Sequence, residues 1–132
     1  MINAVMRKRI FCFGNPLVKR DSLPILLLSE LRKEFPSIEF IEAESPEDIE
    51  GEPEINIIDM VEGIKEAREV DLDEAKMHNC CSLHDFDLAM SLKLLKKMGK
   101  LKALRIIGIP VSYSKKQAMK ELKRLIPAVI SS

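Results

Sequence analysis

Several things that would assign a function class on sight are missing from this chain. It has no net charge, because 21 Lys and Arg balance 21 Asp and Glu, and that balance argues against nucleic acid as the main partner. It has no apolar run near the roughly 20 residues that cross a bilayer, so no membrane partner is expected. After Arg7-Lys8-Arg9, only Ile10 to Phe13 run apolar before Gly14-Asn15 intervenes, which is too short for a secretory signal. Three cysteines cannot all pair, and adjacent Cys80 and Cys81 would form a strained bridge at best. A reducing, cytoplasmic location is the expectation. The glycines do not form a phosphate loop: Gly14-Asn15-Pro16 lacks the second and third glycines of a dinucleotide fingerprint. There is no Gly-x-Ser-x-Gly elbow, and Ser112 and Ser114 have no evident histidine partner.

What remains is a soluble-type chain of 132 residues, 46% apolar and 32% charged. A single domain over 1–132 is expected, able to bury roughly two-thirds of its unfolded surface. Its charges are segregated. From Glu39 to Glu54 there are eight acidic residues and no Lys or Arg, whereas Lys115 to Arg124 holds five basic residues against Glu121. Such runs are either solvated faces or a polar docking rim for a charged polypeptide.

Apolar patterning predicts alternating strands and helices. Ile10 to Phe13 reads as a buried strand, continuous in apolar character as parallel central strands are. Ile25, Leu28, Leu31 and Phe35 repeat at helical spacing from Pro24 to Phe35, and Pro36 stops that helix. Ile38 to Ala43 alternates as a strand, and a Pro-, Glu- and Gly-rich connection follows from Glu44 to Glu54. Ile55 to Ile58 reads as a strand ending on Asp59, and Val70 to Leu72 as a weak strand. Phe86 to Met98 reads as a helix with Leu88, Leu92, Leu95 and Met98 on one stripe, stopped by Gly99. Leu104 to Ile109 predicts a further strand ended by Pro110. Ser114 can cap a last helix over Lys115 to Leu125, limited by Pro127. The expected fold class is α/β: three layers, with a mostly parallel twisted sheet flanked by helices.

Three residues stand where such a fold keeps its chemistry. Asp21 follows the first strand, Asp59 ends a later one, and His84 introduces the helix that begins near Asp85. Parallel strands bring their C-terminal ends to one edge, where ligands are usually held. Two carboxylates and an imidazole form a mixed O/N set suited to nickel, zinc, iron or another borderline divalent ion. They could equally serve as acid–base groups. Each also has a plain structural reading: Asp21 as a helix cap, Asp59 as a turn residue, His84 as a structural histidine. The nearby His78, Cys80, Cys81 and His84 match no common structural-zinc spacing.

Taken in order, these motifs resemble the nickel–iron hydrogenase maturation endopeptidases. That family opens with a strand, a Gly-Asn-x-Leu turn and an acidic residue before the first helix, matched by Gly14-Asn15-Pro16-Leu17 and Asp21. Its apolar strand ending in Asp is matched by Ile55-Asn56-Ile57-Ile58-Asp59. Its helix-introducing His is matched by Ser82-Leu83-His84-Asp85, and its last core strand by Ile106-Ile107-Gly108-Ile109-Pro110. The resemblance implies a cytoplasmic endopeptidase that removes the C-terminal extension of a hydrogenase large-subunit precursor after nickel insertion. It further implies that Asp21, Asp59 and His84 ligate nickel carried by that precursor. Lys19-Arg20 before Asp21 departs from the family pattern. A non-proteolytic metal-sensing or accessory-binding module of the same fold is therefore the alternative, with a small nucleotide-binding α/β domain behind it.

Overall fold

A computed structural model describes residues 8–13, 23–43, 46–49, 51–72 and 83–130. Among the described residues, five strands form one sheet: β1 (Lys8–Phe13), β2 (Ile38–Ala43), β3 (Glu54–Val61), β4 (Arg68–Val70) and β5 (Ala103–Pro110). Their spatial order is β2-β1-β3-β5-β4. Every neighbouring pair is parallel except β4 with β5, which is antiparallel. The three-layer α/β class expected from the sequence is what the chain adopts, with one antiparallel edge strand added.

The continuous apolar runs have a direct cause. The helices α1 (Leu23–Leu26), α2 (Leu28–Glu34) and α4 (Lys115–Ile130) cover one face of the sheet. The helix α3 (Leu83–Lys97) and a short 3₁₀ turn at Pro46–Ile49 lie on the other. Alternate residues of each strand therefore enter different cores: Ile10, Cys12, Ile58, Met60 and Ile107 one, Phe11, Phe13, Ile55, Ile57 and Ile106 the other. A strand buried on both sides has no polar face to show. Burial pushes the Cys12 thiol up to about 12, so Cys12 is core rather than a nucleophile.

Several boundaries differ from expectation. The helix predicted over Pro24 to Phe35 is in two pieces that continue each other around Leu27 (φ −87°, ψ −6°). Leu27 N–H still donates to Leu23 O at 3.1 Å. Phe35 ends α2 with φ −126° and ψ 73°, outside the helical region that a following proline disfavours. The weak strand lies at Arg68–Val70 rather than Val70 to Leu72, held by pairing with β5. Residues Ile38 to Ala43 do not simply alternate in burial, because both faces of β2 are partly covered and only Glu39 and Glu42 stay exposed.

Pro127 does not limit the last helix, which runs on to Ile130. Val129 and Ile130 are buried in the same core as Leu122, Leu125 and Ile126, and that packing outweighs the amide bond a proline cannot make. Ser114 caps the helix as expected: Gln117 N–H donates to Ser114 Oγ at 3.1 Å. Gly99 stops α3 with φ +71°, its N–H donating to Lys96 O and that of Lys100 to Leu95 O, a Schellman closure. Met98, placed on the buried stripe by periodicity, is 53% exposed. Among the described residues, no helix is long and apolar enough to cross a membrane.

Candidate active site at the carboxyl edge of the sheet

The strand order reverses direction between β1 and β3, since β2 lies to one side of β1 and β3, β5 and β4 to the other. In open α/β sheets ligands bind at such a switch point, outside the carboxyl ends of the strands. β1 leaves the sheet at Phe13, whereas β3 continues to Val61. Beyond Ile58, β3 keeps β5 beside it while its recorded pairing with β1, at Phe11 and Cys12, has ended.

Asp59 occupies this position. It lies within β3 rather than at its end, with Met60 and Val61 following it in the strand. The strand is longer than Ile55 to Ile58 because Met60 and Val61 pair with Ile109 and Pro110 of β5. Asp59 is 5% exposed, which leaves it and Asn56 as the buried polar residues among those described. Its Oδ1 accepts from the Met60 N–H at 2.8 Å. That bond orients the carboxylate, and a carboxylate offers about four acceptor sites in all. A buried carboxylate needs partners to justify its desolvation, so a plain turn residue is a poor description of this one.

The neighbours of Asp59 were not visible to sequence reading. Gly108 of β5 stands opposite it, and Arg68 of β4 stands opposite Gly108. Asp59, Gly108 and Arg68 thus form one row across three strands. A β-carbon on Gly108 would lie 2.9 Å from Val61 Cγ2 and 3.2 Å from Ile64 Cδ1. The absent side chain lets Val61 and Ile64 close over the strand next to the carboxylate. The signal available in sequence was a lone glycine inside an apolar strand pattern, which often marks such a close approach.

His84 is the second residue of α3, within its first turn rather than ahead of the helix. The helix leads into β5 at the opposite edge of the sheet, where Lys102 N–H donates to Pro53 O at 2.7 Å. Its 15 residues reach about 22 Å, so its first turn is directed back toward the carboxyl edge. The side chain of His84 lies outside the described residues, as does all of Asp21. So do Gly14-Asn15-Pro16-Leu17, Lys19-Arg20 and the His78, Cys80 and Cys81 cluster. Among the described residues no three His, Cys, Asp or Glu side chains group as metal ligands do.

A second polar cluster lies at the amino edge. Glu54 Oε1 accepts from Lys8 Nζ at 2.8 Å and from Arg105 at 2.9 Å. Arg105 also donates to Asn56 Oδ1, and Asn56 Nδ2 to Arg9 O. The Lys8 hydrogen bond, aided by Arg105 and opposed by burial, holds the Glu54 carboxyl below its ordinary range. This network lies at the end of the sheet away from Asp59, where structural rather than catalytic roles concentrate.

No protein-family model matches the sequence, and no curated protein sequence matches it. The fold does have solved counterparts. The crystal structure of the Hydrogenase 3 maturation protease superposes with a TM-score of 0.66 at 19% identity, covering 92% of this chain and 90% of that one. An uncharacterized protein from Wolinella succinogenes gives a TM-score of 0.59 at 19% identity, covering 90% of this chain and 94% of that one. The chain therefore shares a fold with a hydrogenase maturation protease over nearly its whole length.

Proposed function

We propose that this protein is an endopeptidase of the hydrogenase maturation type, removing the C-terminal extension of a nickel–iron hydrogenase large-subunit precursor. The observation that carries this reading is a buried, oriented carboxylate, Asp59, at the topological switch point of a fold shared with a maturation protease. Asp59 would act with Asp21, on the segment joining β1 to α1, and His84, in the first turn of α3.

In this reading the nickel is part of the substrate, carried in by the precursor and sensed by the three side chains. A carboxylate pair with an imidazole suits a borderline divalent ion. The metal when bound supplies charge stabilisation at a carbonyl or activation of a water. The chain supplies the rest. Met60 N–H fixes the rotamer of Asp59, and the apolar residues beside it on β3 keep its surroundings dry and strengthen its electrostatic pull. Recognition and readiness are thereby one event, because a precursor without nickel offers the site nothing to ligate.

The test is incubation with nickel-loaded and nickel-free precursor, read by intact mass. Loss of a C-terminal peptide with nickel alone, abolished in Asp21→Asn, Asp59→Asn and His84→Ala, is the expected result. Nickel-dependent binding with the precursor left intact would instead identify a non-proteolytic sensor of the same fold, the outcome toward which Lys19-Arg20 beside Asp21 points.

A further inference from the structure

The basic run near the C-terminus has a shape that its charge alone does not disclose. Lys115, Lys116, Met119, Lys120 and Lys123 of α4 face Glu30 of α2 across a groove of about 600 Å³. The two helices run the same way, since Lys115 lies 3.5 Å from Glu30 and Lys123 lies 3.6 Å from Glu34. Both pairs are exposed and long, and such pairs contribute little, so a stronger carboxylate ligand can displace them. Between them, Lys116 and Lys120 have no carboxylate paired to them among the described residues. Buried Met119 gives the groove an apolar floor.

We infer that this groove is a docking track for an extended, acidic segment of the protein substrate, with carboxylates at alternate positions. The spacing is the argument. Lys116 and Lys120 are four helical residues apart and Lys120 and Lys123 three, or about 6 Å and about 4.5 Å along the axis. In an extended chain, side chains on one side recur about every 6.7 Å. Two carboxylates at alternate positions therefore match Lys116 and Lys120, while Lys123 lies closer than that repeat and near Glu34, and the residue between the carboxylates turns toward Met119 or solvent. A second copy of this chain fits less well, because several of its acidic residues, Glu39, Glu52 and Glu54, already hold Arg9 and Lys8. The track begins at Lys115, just after β5 ends at Pro110, so its upper end lies at the same edge of the sheet as Asp59. That the segment belongs to a cleaved precursor rests on the preceding reading; the binding itself does not.

The test uses a fluorescein-labelled peptide of alternating Glu and Leu, titrated with the full-length protein and read by anisotropy. A peptide of the same composition with its Glu residues in one block, and a single-stranded oligonucleotide of equal charge, serve as comparisons. The expected result is tighter binding of the alternating peptide, weakened about tenfold or more in the Lys116→Glu, Lys120→Glu double variant and on raising salt. Lys97→Glu on α3 leaves it unchanged. Both groove lysines are exposed, and circular dichroism confirms that the variants are folded; Lys116→Gln, Lys120→Gln should weaken binding in the same direction. Equal binding of all three anions, or equal loss in Lys97→Glu, would reduce the groove to an unspecific basic surface and overturn the proposal. A protein that trims its precursor but ignores the peptide retains the protease reading without the track; one that binds the peptide but trims nothing does the reverse.

Discussion

At the scale of single residues, chemistry and packing meet in one row of the sheet. Asp59 was legible from its place after an apolar run, but not its burial, nor that the strand continues past it. Gly108 was legible only as part of the strand pattern Ile106-Ile107-Gly108-Ile109-Pro110. Its importance comes from Val61, whose Cγ2 stands 2.9 Å from where a β-carbon would be. Gly108→Ala should therefore cost about 1–3 kcal/mol, the range for overpacking a close-packed interior. Urea denaturation measures it, and the Gly108→Ala, Val61→Ala double variant should lose less than the sum of its single variants. A fully additive pair would mean that the contact at Gly108 does not limit the packing there.

Elements were read well where periodicity alone determines them and less well where tertiary contacts overrule a local signal. Ser114 and Gly99 acted as the cap and stop that their chemistry predicts, since both effects act within a turn or two of the chain. Pro127 did not act as a stop, because the apolar residues beyond it have a core to reach. The proline is exposed, carries no amide hydrogen, and sits three residues from the helix end. Pro127→Ala restores a donor to the last turn and should raise stability by about 1 kcal/mol, the interior penalty of proline offset by a more flexible unfolded chain. The urea midpoint should rise with an unchanged slope. A fall would mean that the proline's rigidity in the unfolded chain, not its missing amide, dominates.

For the whole molecule, the amino edge of the sheet is where distant segments are tied. Glu54 on β3 binds Lys8 on β1 and Arg105 on β5, joining three strands. Because the folded-state pKa of Glu54 is lowered, chiefly by Lys8, the unfolded chain binds more protons through the ordinary Glu range. The contribution is thus present above that range and lost as pH falls through the lower folded value. Wild-type protein should lose more stability than Glu54→Gln between about pH 6 and about pH 3, compared by urea midpoints at each pH. Parallel profiles would remove Glu54 from the account. The sequence by itself determined the alternation of strands and helices, the continuous burial of the central strands, the caps and the place of Asp59 on an apolar strand. Those follow from side-chain polarity and spacing along a local stretch of chain. Only the tertiary structure decided the order β2-β1-β3-β5-β4, the row that runs from Asp59 through Gly108 to Arg68, the survival of α4 past Pro127 and the lysine groove against α2. Each of these depends on contacts between residues far apart in sequence, and no local pattern of polarity encodes which distant partner a surface will meet.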